Sequence, residues 1–230
     1  NYPFCTIDPS VGIVAVPDER LERLSLFSKS AKTIPAAVEF VDIAGLVKGA
    51  SEGEGLGNKF LSNIRETDAI AEVVRVFEDD DVIHVDGKTD PLRDIETIEL
   101  ELALADLESV QKILGSLDRD VKRGEKGATE EHAVLKKLHF VLKDGKPARI
   151  ANLSEDEAKK IKSLSLLTLK PVILVLNKKT GGTNITEKLE EYIKEKGTPF
   201  VFVDAVFEAS LKYAGEEEKT VFRKVFENTN

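Results

Sequence analysis

The sequence contains no methionine, no tryptophan and a single cysteine, Cys5. One cysteine excludes an internal disulfide framework and fits a reducing compartment, so we expect a cytoplasmic location. No apolar run approaches the roughly 20 residues that a membrane-spanning helix requires, and we therefore expect no membrane partner. Because methionine is absent, we also expect the chain to be a piece of a longer polypeptide.

Positive charge is also in deficit, since 33 Lys and Arg residues stand against 42 Asp and Glu residues, a net charge of −9. Proteins that wrap nucleic acid over a large area are strongly basic, so this class is excluded, although a local basic patch is not. The three histidines lack partners at metal-ligand spacing. No Gly-x-Ser-x-Gly elbow of a serine hydrolase occurs.

The first third of the chain alternates short β-branched runs with amphipathic segments. The runs predict strands at 11–16, 37–41 and 70–77. Helices are predicted after Asp18, which can cap one, and over 59–66. Strands that alternate with helices in this way are typical of a parallel α/β sheet.

The pattern becomes helical near Asp94, where apolar residues begin to recur every three or four positions. A glycine-containing turn at 123–129 separates two such segments, which predicts an antiparallel helical hairpin. Ser154 and Glu157 form a capping box for a third, short helix. Strand patterns at 171–176 and 200–203 then flank a predicted helix at 186–196. We divide the chain into a first domain part (1–93), a helical insertion (94–164) and a second domain part (165–230).

The hairpin is the basic part of this acidic chain. Residues 117–149 hold nine Lys and Arg against six Asp and Glu, a net charge of +3. Arg119, Lys122 and Arg123 lie at its predicted tip. Such a tip can contact a phosphate backbone, or it can be an ordinary solvated helix surface.

Asp42 directly follows the second predicted strand and precedes a glycine-rich loop that includes Gly45. Ligands of α/β sheets bind at the carboxyl ends of the strands, and a carboxylate there suits magnesium. A glycine allows backbone N–H groups to approach a phosphate closely. The Asp-x-x-Gly pattern alone is weak evidence for a phosphate site. The predicted strand before the pattern and the glycine-rich loop after it strengthen that evidence.

Three other residues are candidates for the site, and two of them have more than one possible role. Thr6 is a possible magnesium ligand in a loop, or a turn-forming residue before Asp8-Pro9. Asn177 ends an apolar strand, where it can contact a purine edge, brace neighbouring loops or simply end the strand. Ala205 follows the last predicted strand and is a candidate wall of a base pocket.

Three segments, 1–9, 40–70 and 100–108, resemble the YchF-type Obg-like ATPases. The middle one, which contains DIAGLVKGASEGEGLGN, is long and idiosyncratic. The resemblance implies an α/β fold with a P-loop NTPase-type parallel sheet interrupted by an antiparallel coiled-coil insertion. It also implies a following TGS domain, ATP or GTP as nucleotide, Mg²⁺ as cofactor, and a ribosomal or ribosomal RNA partner.

The resemblance also implies roles for individual residues. Thr6 and Asp42 match the magnesium-side residues of the two switches, and Gly45 matches the glycine near the γ-phosphate. Leu46 stands where Ras-like GTPases keep a glutamine that orients the attacking water. A leucine cannot hydrogen-bond water, so the resemblance predicts slow nucleotide hydrolysis at this catalytic position unless a partner or another loop assists.

Asn177 matches the asparagine of the base-recognition motif. Guanine-specific relatives have an aspartate three positions later, and Thr180 stands there in this sequence, where the family commonly has glutamate. Losing the bidentate contact to guanine forfeits about 3 kcal/mol of discrimination, so we expect guanine selectivity to be lost.

The phosphate-binding loop Gly-x-x-x-x-Gly-Lys-Ser/Thr does not occur in the sequence. We therefore expect the chain as given to bind nucleotide poorly and to be inactive unless such a loop precedes it. Two functions follow as hypotheses. The first is a ribosome-associated, magnesium-dependent ATPase, or GTPase, that regulates translation or a stress response. The second is a non-catalytic module whose helical hairpin docks on the ribosome or RNA.

Overall fold

The computed structural model describes residues 10–43, 56–78, 89–179, 185–215 and 218–222. The strands are β1 (Ser10–Ala15), β2 (Ala37–Asp42), β3 (Ile70–Arg75), β4 (Val172–Asn177) and β5 (Phe200–Val203). The α-helices are α1 (Glu19–Ser28), α2 (Leu56–Arg65), α3 (Pro91–Arg123), α4 (Ala128–Lys143), α5 (Glu155–Ile161), α6 (Glu187–Lys196) and α7 (Ala205–Ser210). Short 3₁₀ turns lie at Ala148–Ala151, Lys162–Leu164, Leu167–Leu169 and Leu211–Tyr213.

Strands β3, β4 and β5 form a parallel sheet with β4 in the centre. Ile70 pairs with Val172, and Leu174 pairs with Phe200. The apolar run of β4 places Leu174 and Leu176 in the core, each 1% exposed. This arrangement confirms the predicted α/β class with a parallel sheet.

Strands β1 and β2 differ from the prediction, because they pair antiparallel in a separate two-stranded sheet. A parallel crossover requires the connecting helix to pack on the sheet. Helix α1 begins after the predicted cap Asp18, which accepts a hydrogen bond from Arg20 N–H, but none of its residues is buried. Its expected apolar face points to solvent, and Phe27 is 89% exposed. The segment from β1 to β2 is therefore a hairpin with a long, helical connection.

Local signals set the ends of α3, the first helix of the insertion. Its N-cap is Asp90, whose carboxylate accepts a hydrogen bond from Arg93 N–H, and Pro91 occupies the first turn. The helix thus begins three residues before the sequence-based boundary at Asp94. It ends at Gly124, whose φ of 73° lies in the left-handed region that favours glycine.

Helices α3 and α4 form the predicted antiparallel hairpin, with its own apolar core. Leu135, Leu138 and Leu142 of α4 are completely buried in it. The predicted capping box opens α5: Ser154 Oγ accepts from Glu157 N–H, and Glu157 Oε2 accepts from Ser154 N–H. Ion pairs Lys137–Glu157 and Glu130–Lys160 connect α5 with α4.

Two further apolar clusters fix the hairpin to the rest of the protein. One joins β3 and β4 to α3 and α6 through Val74, Ile95 and Leu189. The other packs α2 against α3, and Ile43 at the end of β2 contacts it. No helix in the described ranges combines the length and apolarity needed to cross a membrane.

Candidate functional site

The carboxyl ends of β4 and β5 meet at one edge of the parallel sheet. Asn177 and Val203 are paired there as the last residues of their strands. Asn177 Oδ1 accepts a hydrogen bond of 3.2 Å from Ala205 N–H, at the start of α7. The structure therefore brings together two of the predicted site residues. It also shows that the asparagine braces the neighbouring segment, one of the roles that the sequence left open.

Further hydrogen bonds surround this edge of the sheet. Lys178 N–H donates to Val203 O at 2.8 Å, which extends the strand pairing by one residue. Asp204 is 5% exposed, and its carboxylate caps α7 by accepting from Phe207 N–H at 2.9 Å. Asp204 thus caps the start of α7, where Ala205 donates to Asn177 Oδ1.

The oxygen and the NH₂ group of the Asn177 side chain differ in their hydrogen bonding. Its oxygen is held by Ala205, and its NH₂ group makes no hydrogen bond to another described residue. A carboxamide NH₂ carries two donors. At the edge where α/β sheets bind ligands, these donors suit the acceptor atoms of a purine ring.

Asp42 is the last residue of β2 and is exposed. Within the described chain its carboxylate forms no hydrogen bond or ion pair. Its position is fixed by the neighbouring Ile43, which packs against the cluster between α2 and α3. Asp42 belongs to the two-stranded sheet and Asn177 to the parallel sheet, so strand pairing does not join these two predicted residues.

The other predicted residues of the nucleotide site are Thr6, Gly45, Leu46 and Thr180, and they lie outside the described residues. Among the residues that are described, no group of three or more His, Cys, Asp or Glu side chains is arranged to hold a metal ion. Two of the histidines make local contacts on the hairpin: His132 with Asp118 at 2.8 Å and His139 with Gln111 at 3.5 Å.

The predicted partner-binding residues Arg119, Lys122 and Arg123 lie together in the last turn and a half of α3, and we call them the hairpin tip. All three are exposed. Arg123 forms an ion pair of 3.8 Å with Asp120, which is itself partly exposed. Neither Arg119 nor Lys122 has an ion-pair partner in the described part of the chain, so their charge faces solvent.

A buried carboxylate at the base of the hairpin is a feature that sequence reasoning missed. Asp106 of α3 accepts hydrogen bonds from Leu167 N–H (2.9 Å), Thr168 N–H (2.8 Å) and the Thr168 hydroxyl (2.7 Å). Thr168 Oγ1 in turn accepts from Ala148 N–H at 2.9 Å. Burial raises the pKa of Asp106, while these hydrogen bonds and the nearby Arg65 oppose the rise.

A second missed group lies in a cleft between β3, α3 and α6. Glu99 accepts hydrogen bonds from Arg149 and, at 3.2 Å, from the Tyr192 hydroxyl. Glu72 of β3 lines the same cleft. Burial raises its pKa to about 8, with a further rise from Glu99 and Asp94 and an opposing effect of Arg149. The available signal was a glutamate inside the otherwise apolar run Ile-Ala-Glu-Val-Val.

These features define a class. The parallel α/β sheet with its helical hairpin is an α/β fold, and ligands of such folds bind at the carboxyl ends of the strands. The comparisons assign it to the P-loop nucleotide-binding fold. A family model described as 50S ribosome-binding GTPase matches residues 1–114.

The particular family follows from similarity over nearly the whole chain. The Ribosome-binding ATPase YchF of Bacillus subtilis is 48% identical over 229 residues, which cover 96% of this chain and 62% of the relative. The same-named protein of Haemophilus influenzae is 47% identical over 225 residues, again 96% and 62%. The solved Schizosaccharomyces pombe YchF GTPase superposes with a TM-score of 0.79 at 40% identity, covering 99% of this chain and 64% of that one.

The chain is a YchF homologue of the P-loop NTPase class, and the resemblance seen in its sequence is confirmed. It spans about three fifths of the length of these relatives.

Proposed function

We propose that the protein is a magnesium-dependent ATPase, with GTP as the alternative nucleotide, and that it associates with the ribosome in the cytoplasm to regulate translation or a stress response. The observation that carries the proposal is the Asn177 carboxamide at the carboxyl edge of the parallel sheet, braced through Ala205. Its NH₂ donors have no partner among the described residues and lie at the sheet edge where α/β proteins bind ligands. The names of the homologues, ribosome-binding ATPase and GTPase, support this reading.

Asp42 fits the proposed magnesium site. Its carboxylate is exposed, is held at the end of a strand, and has no competing ion pair within the described chain. Magnesium prefers oxygen ligands and usually keeps several waters, so a single carboxylate with the Thr6 hydroxyl is a suitable protein contribution. When bound, the metal neutralises charge on the nucleotide phosphates. Gly45 would approach the γ-phosphate. The Leu46 side chain would give the attacking water no hydrogen bond, so another group would position that water.

The adenine preference rests on Thr180. Its hydroxyl cannot accept both guanine N–H groups as an aspartate carboxylate does, so guanine gains no bidentate contact. In the proposed division of the chain, 1–93, 94–164 and 165–230, the nucleotide site lies in the two outer parts and the partner surface in the insertion. The first helix of the insertion begins at Pro91, just before this boundary.

We expect Asn177→Ala to weaken ATP binding by the full-length protein about tenfold. The variant loses the base contact and the brace on Ala205, and each such hydrogen bond contributes on the order of 1 kcal/mol. Titration with fluorescent ATP and GTP analogues measures both affinities. The exposed Lys188→Ala on α6 serves as the control and should bind as the wild type does. Unchanged affinity of Asn177→Ala for both nucleotides would refute the base role, and tighter binding of GTP than of ATP would refute the adenine preference.

A second function is favoured by the hairpin tip, whose three basic side chains are exposed on an acidic protein. We propose that this tip contacts ribosomal RNA, whether or not hydrolysis is required. Phosphate contacts of this kind release counterions, so the association should weaken as salt rises.

Reversal of the tip charges in the Arg119→Glu, Lys122→Glu, Arg123→Glu variant should reduce co-sedimentation with ribosomes and flatten its salt dependence. Each lost phosphate contact lowers the slope by about one unit. The matched control reverses three lysines of α6, at 188, 194 and 196. If the tip variant and the control sediment equally well with ribosomes, the tip is not the docking surface.

A further inference from the structure

The outer face of α4 carries an exposed aromatic ring. Phe140 is 73% exposed, although the neighbouring Leu138 and Leu142 are completely buried in the hairpin core. It is the only Phe, Tyr or Trp between residues 91 and 164. An aromatic ring loses burial energy when it faces water, and the hairpin core does not use this one. Its ring is therefore accessible to a partner.

Two lysines flank the ring on the same helical face. Lys136 precedes Phe140 by four residues and Lys143 follows it by three, so all three side chains share one side of α4. The two lysine positions are about 10 Å apart along the helix axis. Both are exposed, and neither forms an ion pair within the described chain. We call Lys136, Phe140 and Lys143 the aromatic–lysine stripe.

Next to this face, the exposed Asp144 caps the end of α4 directly after Lys143. Thr129 and Ala133 continue the same side of the helix towards its start. The carboxylate of Glu130, in the same turn as Thr129, is paired with Lys160 of α5. The stripe therefore presents one apolar ring between two lysines that form no ion pair in the described part of the chain.

We infer that the aromatic–lysine stripe binds an unpaired RNA nucleotide, whose base stacks on Phe140 while the flanking phosphates contact Lys136 and Lys143. Aromatic side chains receive unstacked bases in single-stranded segments and loops of RNA. Lysines on either side of a stacking ring follow the backbone of a single strand. An apolar protein partner fits less well, because the centre of a protein interface is depleted of lysine and one ring offers little apolar area.

This inference rests on the proposed association with the ribosome and extends it. The hairpin tip would hold phosphates without regard to base pairing. The stripe lies on the other helix of the hairpin and adds a preference for an unpaired base. The two surfaces can be tested separately, because no residue is shared between them.

Phe140→Ala in the full-length protein should weaken binding of a labelled oligouridine strand roughly five- to hundredfold, the range expected for one lost stacking contact. Phe140→Tyr keeps a ring and should bind as the wild type does. Lys136→Glu with Lys143→Glu should also weaken binding and should lower the salt slope by about two units. Fluorescence anisotropy over a series of salt concentrations measures both quantities. The control Phe27→Ala removes an exposed ring on α1 and should leave RNA binding unchanged.

Three results would overturn the inference. Phe140→Ala could bind oligouridine with unchanged affinity, or wild type could bind a fully paired RNA duplex as tightly as the single strand. Phe140→Ala could also lose ribosome association while keeping RNA affinity, which would assign the stripe to a ribosomal protein. Loss of ribosome binding in the tip variant alone, with oligouridine binding still sensitive to Phe140→Ala, would support the stripe. If neither the tip variant nor the stripe variants change ribosome binding, the proposal that the tip docks on the ribosome is refuted. The oligouridine measurements then decide by themselves whether the stripe binds RNA.

Discussion

Asp106→Ala is expected to lower the free energy of unfolding by about 3–5 kcal/mol. The Asp106 side chain is completely buried and accepts three hydrogen bonds from Leu167 and Thr168. Without the carboxylate, two backbone N–H groups and a hydroxyl lose their acceptor in the protein interior. Arg65, 3.8 Å from Asp106 in the native protein, also loses its counter-charge. Urea unfolding at neutral pH, followed by circular dichroism, measures the change.

The exposed Glu108→Ala on the same helix provides the matched control and should change stability by less than about 0.5 kcal/mol. Asp106→Asn should fall between the two variants, since its amide keeps one acceptor oxygen but turns an NH₂ group towards donors. If Asp106→Ala and Glu108→Ala unfold at the same urea concentration, the buried network contributes nothing to stability.

Glu72→Gln is expected to make the protein more stable above pH 8, while leaving it nearly unchanged below pH 5. The pKa of Glu72 is raised to about 8 in the folded protein, so the folded state binds a proton that the unfolded state releases near its ordinary value of 4.5. Stability is therefore lost as pH rises from about 4.5 to about 8. Each pKa unit corresponds to about 1.4 kcal/mol, which makes the total effect a few kcal/mol. Glutamine stays neutral and avoids this loss.

The measurement is the difference in unfolding free energy between Glu72→Gln and wild type at pH 5, 7 and 9. This difference removes the contributions of groups that titrate equally in both proteins. Glu96→Gln on the exposed side of α3 is the control, and its difference from wild type should stay constant with pH. A constant difference for Glu72→Gln as well would show that the Glu72 carboxyl does not take up a proton on folding.

Both predictions concern the junction between the hairpin and the α/β sheet. Asp106 fixes α3 to the Leu167–Leu169 turn that leads into β4. Glu99 of the same helix holds Arg149, which follows α4, and Tyr192 of α6. The hairpin is thus anchored at its base by polar contacts as well as by apolar packing. Substitutions at its tip or on its outer face should leave this junction intact.

Much of the predicted architecture could be obtained from local patterns. The caps Asp18 and Ser154 were correctly identified, because the partners of a cap lie within three residues in the sequence. The boundary of the insertion was placed at Asp94, three residues late, because its first turn is set by Asp90 and Pro91 rather than by the apolar period.

Only part of the candidate site could be predicted from local sequence patterns. Asn177 and Ala205 were each identified from the ends of their strands, and the structure adds the hydrogen bond that joins them. The antiparallel pairing of β1 and β2 was missed, because strand alternation alone does not reveal whether the connecting helix packs on the sheet. The nucleotide, metal and partner roles of all the predicted site residues stay predictions, and Thr6, Gly45, Leu46 and Thr180 also lie outside the described residues.

The sequence by itself determined the order of helices and strands, most of their ends, the basic tip of the hairpin and the kinship with YchF. These properties depend on residues close together in the chain or on its overall similarity to relatives. Only the tertiary structure decided that Asp106 is buried, that Glu72 is partly buried and that Phe140 is exposed. The physical reason is that burial depends on which distant segments meet: Asp106 and Thr168 are 62 residues apart in the sequence, yet they share a hydrogen bond.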